Sequence, residues 1–338
     1  MPTSALSLAH TLWLGSPLWM WGAFLALIIL LLWLDLGVLH RKSHAVTPLE
    51  SFRMWSMFAT FAVGFGLFVW VDRGAEAGVQ FFTGYLLETS LAFDNIFVIS
   101  TIFAYFAVPR EFQHRVLFWG IIGAIFFRAV FIGAGAALVE EFVWVLYIFA
   151  AFLVFTGVKL ATAKEHGPNI GKNPVVRLAR MLMPVADKVE SDRFFVKAPH
   201  GPKGRVRTVA TPLFLALLAV EFVDIVFAID SVPAIFAVTQ DPFIVYTSNI
   251  FAILGLRSMY FMLAAAVERF AYLKYGLALI LILIAAKIFW NFGIKDLGLD
   301  EAYGFAKIDP VVALVATISI IAVSILYSLW RTREKAAA

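Results

Sequence analysis

The chain has 338 residues, of which 62% are apolar and only 15% charged, where an ordinary soluble domain carries about a quarter charged residues. With a mean hydropathy of +0.88, this excludes a soluble globular protein, a disordered chain and a nucleic-acid binder with a broad basic face. The net charge of +4 is unevenly placed: residues 164–207 hold ten Lys and Arg against four Asp and Glu, a balance of +6, which leaves −2 elsewhere.

Nine segments are long and apolar enough to cross a bilayer as helices, which takes roughly 20 residues. In chain order they are 17–39, 53–71, 77–107, 113–139, 142–163, 209–239, 242–267, 270–290 and 309–330. Helix is required because lipid cannot satisfy exposed backbone groups, and no alternating ten-residue strands suggest a barrel. The expected fold is an all-α polytopic membrane protein, a single transmembrane domain over 1–338. It divides into two N-terminal spans (17–71), three spans (77–163), a basic loop (164–208), three more spans (209–290) and a last span (309–330).

Lys and Arg bias between spans sets the orientation. Arg41, Lys42 and Arg53, then Arg110 and Arg115, then the 164–208 loop, then Arg331, Arg333 and Lys335 alternate with acidic or neutral connections. The N-terminus is therefore expected outside and the C-terminus in the cytoplasm. The first apolar run has basic residues after it and none before, the reverse of a signal peptide, so it is expected to remain as a span. Within the loop, Val175, Val176, Leu178, Met181 and Leu182 interleave with Arg177 and Arg180 as a short amphipathic helix suited to a membrane surface. A hairpin with a Gly/Pro turn follows between Arg193 and Val209. Either a solvated tether or a regulatory or partner site fits this loop.

Self-comparison shows an internal repeat. Glu88-Thr-Ser-Leu-Ala-Phe-Asp94-Asn95 matches Asp224-Ile-Val-Phe-Ala-Ile-Asp230-Ser231: an acid, five residues, an acid, then a small polar residue. Arg128 lies opposite Arg257, Val139-Glu140-Glu141-Phe142 opposite Val267-Glu268-Arg269-Phe270, and Lys159 opposite Lys287. The two units have three helices each and start an odd number of crossings apart. They are expected to be inverted repeats, an arrangement that transporters use around a midplane site.

Charges within these spans are costly, at roughly 2.5–3.5 kcal/mol each on insertion scales. The deep acids are Glu88, Asp94, Glu221, Asp224 and Asp230, with Asp35 nearer the inner end of the first span. Arg128 and Arg257 balance part of this set, and the remainder calls for protonation or a bound cation, the two halves of a cation/proton exchange cycle. Lys159 and Lys287, near helix ends, are expected to snorkel to water. Six residues along a straight helix turn 240°, so Glu88 and Asp94 would not share a face, nor would Asp224 and Asp230. A helix break at Pro233 would resolve this in the second unit and free carbonyls for a cation. In the first unit, Gly84 is the only comparable signal. Glu221 and Asp224 do share a face, which makes Glu221, with Asp35, a proton-carrier or gate candidate or else a partner for Arg257.

The metal set of Glu88, Asp94, Asn95, Asp224, Asp230 and Ser231, with backbone carbonyls, offers oxygen ligands suited to hard cations such as Mg, Ca or Mn. The chain has no cysteine, and its six histidines fall in termini or connections, which disfavours zinc or copper and removes thiol chemistry. Trp13, Trp19, Trp21, Trp70, Trp144 and Trp290 gather at outer span ends as an interfacial belt. No Walker-type phosphate loop or other organic-cofactor motif is present.

These motifs, together with Val220-Glu-Phe-Val-Asp-Ile-Val-Phe-Ala-Ile-Asp-Ser-Val-Pro-Ala and Phe251-Ala-Ile-Leu-Gly-Leu-Arg, resemble the TerC family, in its Alx-like branch. The resemblance covers nearly the whole chain, including the loop ending Ala-Thr-Pro-Leu. It implies a manganese exporter of the LysE-type superfamily in the bacterial inner membrane, with Glu88, Asp94, Asp224 and Asp230 as metal-site acids and Asn95 and Ser231 beside them. The expectation is secondary-active Mn²⁺ export in exchange for protons, and no enzyme. An intramembrane aspartyl protease is disfavoured because the acids number five and the repeat implies alternating access. A metal-delivery or metal-sensing partner without net flux, an exporter of another cation, and association with secretion machinery or a second copy of the chain stay open. No nucleic-acid partner is expected.

Overall fold

The computed structural model describes residues 11–34, 47–162, 173–186, 189, 191–200, 205–263, 272–296 and 306–337. Among these are ten helices: α1 (Leu18–Leu34), α2 (Pro48–Arg73), α3 (Ala75–Tyr105), α4 (Arg110–Glu141), α5 (Val145–Thr162), α6 (Pro174–Leu182), α7 (Pro212–Phe236), α8 (Pro242–Leu263), α9 (Leu273–Asp296) and α10 (Pro310–Ala337). Strands β1 (Leu12–Trp13) and β2 (Ser16–Pro17) form a small antiparallel ribbon before α1, and β3 (Phe195–His200) and β4 (Arg205–Ala210) form the loop hairpin. Seven helices within this set are long and apolar enough to span a membrane: α2, α3, α4, α5, α7, α9 and α10. Among the described residues α1 is apolar but only 17 residues long, and buried polar side chains from Thr247 to Ser258 dilute the apolar run of α8. The chain is a multi-pass membrane protein, with Leu, Ile, Val, Phe and Trp side chains exposed on outward helix faces.

Local chemistry explains several helix ends. Thr47 caps α2 reciprocally with Glu50 (3.3 and 3.4 Å), and Pro48 follows at the first helical position. A single residue, Gly74 at φ +94°, separates α2 from α3; a Cβ would strain that conformation, so glycine turns the chain here. In the loop, Asn173 caps α6 by accepting from the amides of Val175 and Val176. Val176 and Ala179 of α6 are buried, whereas Leu178, Met181 and Leu182 are exposed beside Arg177 and Arg180. The amphipathic helix and the hairpin both form where the sequence places them. Arg115 of α4 ties down the segment before β3 through Asp192 at 2.5 Å.

The central packing is reciprocal. Helix α3 packs on α8, α4 on α7 and α5 on α9. Exchanging α3, α4 and α5 for α7, α8 and α9 in that order maps these pairings onto themselves. Outside this core, α2 lies against α3 and α8, and α10 against α3 and α9. Three apolar clusters fill the interior. The first joins α6 and the ends of α3, α4, α7 and α8 nearest the basic loop. The second joins α1 and α2 to the aromatic face of α8. The third joins the opposite ends of α4 and α7 to α5 and α9.

Two expectations are corrected here. No break occurs at Pro233 or beside Gly84: α7 is continuous to Phe236 and α3 to Tyr105. Pro233 lies in the last turn of α7, where the helix loses one hydrogen bond and then ends, with the Ala237 amide bonding the Pro233 carbonyl at 3.1 Å. Trp21 is buried instead of belonging to an interfacial belt. It packs edge-on to Phe243 at 5.0 Å and donates its indole N–H to the Trp13 carbonyl at 3.0 Å.

Candidate metal and proton site

A buried charged cluster lies where the three apolar clusters meet. Arg128 of α4 is only 1% exposed. Its Nη1 donates to Glu88 Oε1 of α3 as an ion pair, to Ser231 Oγ of α7 at 3.0 Å and to Asn249 Oδ1 of α8 at 3.2 Å. Its Nη2 lies 3.6 Å from Asp224 Oδ1 of α7, a longer and weaker contact. One guanidinium fork thus holds carboxylates from two different helices, the geometry for which arginine is suited.

Helical periodicity decides which motif residues belong. Asp224 and Ser231 are seven apart, two turns, and both face Arg128; Glu88 and Asn95 have the same spacing on α3. Asp230 is turned away by the continuous helix. It is half-buried between α7 and α5, where Thr156 Oγ1 lies 3.4 Å from its Oδ1 and Lys159 is the nearby cation. The expected metal set is therefore divided. Glu88, Asp224 and Ser231 converge, Asn95 lies beside Asp224, and Asp230 faces another helix. The Asp94 side chain and all of Asp35 lie outside the described residues. Among the described residues no three carboxylates and imidazoles form a ready-made metal cluster.

Beside Asp224, on the side nearer the basic loop, is a small cavity of about 20 Å³, room for one water. Asn95, Asp224 and Arg257 are its polar walls, and Leu117, Gly120 and Val220 are among its apolar ones. Asp224 Oδ2 is buried and has no hydrogen-bond partner among the described residues. The two motifs are used alike: Arg128 contacts Glu88 and Ser231, and Arg257 shares the cavity with Asp224 and Asn95, which hold the matching positions of the other motif.

Glu221, one turn before Asp224, packs its carboxylate directly over Gly123 of α4. A Cβ at that position would fall inside the carboxylate, so glycine admits the acid here. Glu221 Oε2 is buried with no partner among the described residues. Lys287 does not snorkel; it is buried in α9, within the field of Asp309 and Glu76. Lys159 is exposed.

The sequence reading missed Asn249, which is fully buried and fixes Arg128. Its signal was a lone carboxamide within an apolar run, costly in a membrane unless it has a partner. Gly123 and Thr156 had no signal apart from their neighbours in space.

Comparison with known proteins identifies the family. Residues 73–336 match the integral membrane protein TerC family. The chain is 45% identical over 331 residues to the Alx protein of Photorhabdus laumondii, covering 95% of this chain and 98% of that one. It is 46% identical over 284 residues to the Alx protein of Escherichia coli, covering 81% and 86%. Both are named as proposed membrane-bound redox modulators. A membrane protein of Myxococcus xanthus is 46% identical over 320 residues, covering 95% and 94%. No solved structure matches the chain. A buried arginine-bridged acid pair on reciprocally packed helices is thus the core of a chain that belongs to the TerC family of integral membrane proteins.

Proposed function

We propose that this chain is a secondary-active exporter of a hard divalent cation, Mn²⁺, working by exchange with protons in the bacterial inner membrane. The observation that carries this reading is the convergence of Glu88 and Asp224, equivalent positions of the two motifs, on one buried point lined by Ser231 and Asn249 oxygens. Buried carboxylates persist only with a counter-charge, and a site of two acids with neutral oxygen donors suits Mn²⁺ or protons in alternation. The reciprocal packing supports two inverted three-helix repeats, and alternating access about them is the motion such repeats use. The reading includes nine spans, with α1 and α8 added to the seven, an outside N-terminus and a cytoplasmic C-terminus. Glu221 and Asp35 are the proton carriers or gates, Asp94 and Asp230 further acids of the pathway, and Arg257 the second balancing charge.

The relatives' description as redox modulators fits the same site. This chain has no cysteine, so a redox effect would act through the metal it moves and not through thiol exchange. The bilayer is the one partner the reading requires; a second copy or secretion machinery would be additional.

The test is Mn²⁺ uptake into everted vesicles under an imposed pH gradient, for the wild type and for Glu88→Gln and Asp224→Asn. Uptake should follow the gradient and fall at least tenfold in each variant. Undiminished uptake in both would sink the site assignment. Saturable Mn²⁺ binding with no flux in the wild type would favour metal delivery or sensing instead.

A further inference from the structure

We propose that Arg128 is an internal competing cation: its guanidinium occupies the acid pair when no metal is bound, and the transported ion gains the site by displacing it from Asp224. The inference rests on the metal-transport reading above and assigns Arg128 an active part beyond charge balance.

Four observations carry it. Arg128 is a full positive charge placed between the two carboxylates that a divalent cation would need, so the two cations cannot both hold Asp224 and Glu88 in this geometry. Its hold is lopsided: Glu88, Ser231 and Asn249 all contact Nη1, whereas Asp224 meets Nη2 only at 3.6 Å. Asp224 is therefore the partner that releases first. Its second oxygen, Oδ2, is buried and unpartnered among the described residues. Asp224 also forms a wall of the one-water cavity, where Asn95 is a second polar wall. An ion in that cavity faces, beside Arg257, a carboxylate whose Oδ2 has no partner among the described residues.

Displacement leaves each carboxylate with a cation. The ion takes Asp224 first, while Glu88, Ser231 and Asn249 still hold Arg128. Asn249 and Ser231 thus hold the guanidinium within reach, so that it returns when the ion leaves. A resident cation of this kind leaves the empty site with one uncompensated carboxylate charge instead of two. It also makes weakly held monovalent ions poor competitors, since they must displace a guanidinium.

The experiment is equilibrium Mn²⁺ binding to the purified full-length chain in lipid nanodiscs, read by the paramagnetic resonance signal of free Mn²⁺. Wild type is compared with Arg128→Gln, which removes the charge, and Arg128→Lys, which keeps a charge but loses the fork. Competition predicts the affinity order Arg128→Gln, then Arg128→Lys, then wild type, with roughly tenfold or more between the first and last, the factor expected for losing one charge-assisted bond. A purely structural arginine would give the opposite order, because its loss would loosen the site. The lysine variant alone suffices for the comparison if the glutamine variant does not fold. Saturable wild-type binding that neither variant strengthens overturns this inference and leaves the cargo assignment standing. No saturable binding in any of the three overturns both.

Discussion

Replacing Glu88 by Gln removes the closest partner of a guanidinium that is 1% exposed. What remains is Asp224 at 3.6 Å and two neutral acceptors, Ser231 and Asn249. At an effective dielectric of about 20, a 3.6 Å pair attracts by roughly 4–5 kcal/mol, so Asp224 offsets much of the loss. Breaking a buried pair costs about 3–5 kcal/mol, and the surviving partners place this case near the lower end, about 3 kcal/mol. Arg128→Gln should cost at least as much, because it leaves two carboxylates facing each other. In the double variant Glu88→Gln/Arg128→Gln, charge is removed from both sides, and the cost should fall short of the sum by about 2–3 kcal/mol. Reversible unfolding in mixed detergent micelles, followed by the fluorescence of the ten tryptophans, measures all four corners of this cycle. A coupling energy under about 0.5 kcal/mol would refute the argument that Glu88 and Arg128 are each other's principal counter-charge.

Gly123→Ala should push the Glu221 carboxylate off α4 and slow Mn²⁺ uptake severalfold. Because the displaced atoms are the tip of a flexible side chain, the unfolding midpoint should move by no more than a few degrees. Vesicle uptake beside a thermal melt separates the two effects, and unchanged uptake would remove Glu221 from the pathway. Gly74→Ala should destabilise the chain by about 1–3 kcal/mol through strain at φ +94°, seen in the same unfolding assay, with Mn²⁺ affinity unaltered. Thr156→Val removes the hydroxyl facing Asp230 and should alter uptake less than Asp224→Asn does, since Asp230 lies on a different helix face from the acid pair. Equal losses in the two variants would refute the assignment of the ion-binding pair to Asp224 and not to Asp230.

Much of the architecture was legible from composition and period alone. Apolar runs of bilayer length became helices at the expected places, because an isolated backbone in lipid has no alternative. The loop helix and hairpin were legible because capping, amphipathic spacing and a Gly/Pro turn are local signals. Arg128 and Arg257 were recognisable as deep charges, since few ionisable residues interrupt those runs.

Helical spacing also said which residues share a face: Glu88 with Asn95, and Asp224 with Ser231. It did not say that the helices would stay straight. Pro233 carried a breaking signal that its place in the final turn made nearly harmless. Nor could spacing say which neighbour each face meets. That Asp230 turns to Thr156, that Glu221 rests on Gly123, that Trp21 is interior and that Asn249 steadies Arg128 all depend on contacts between helices distant in the chain. Periodicity along one helix determines its own faces, but the burial of charge is settled between helices. The sequence by itself therefore determined that acids and arginines interrupt the apolar helices, and only the tertiary structure decided that one guanidinium joins Glu88 to Asp224.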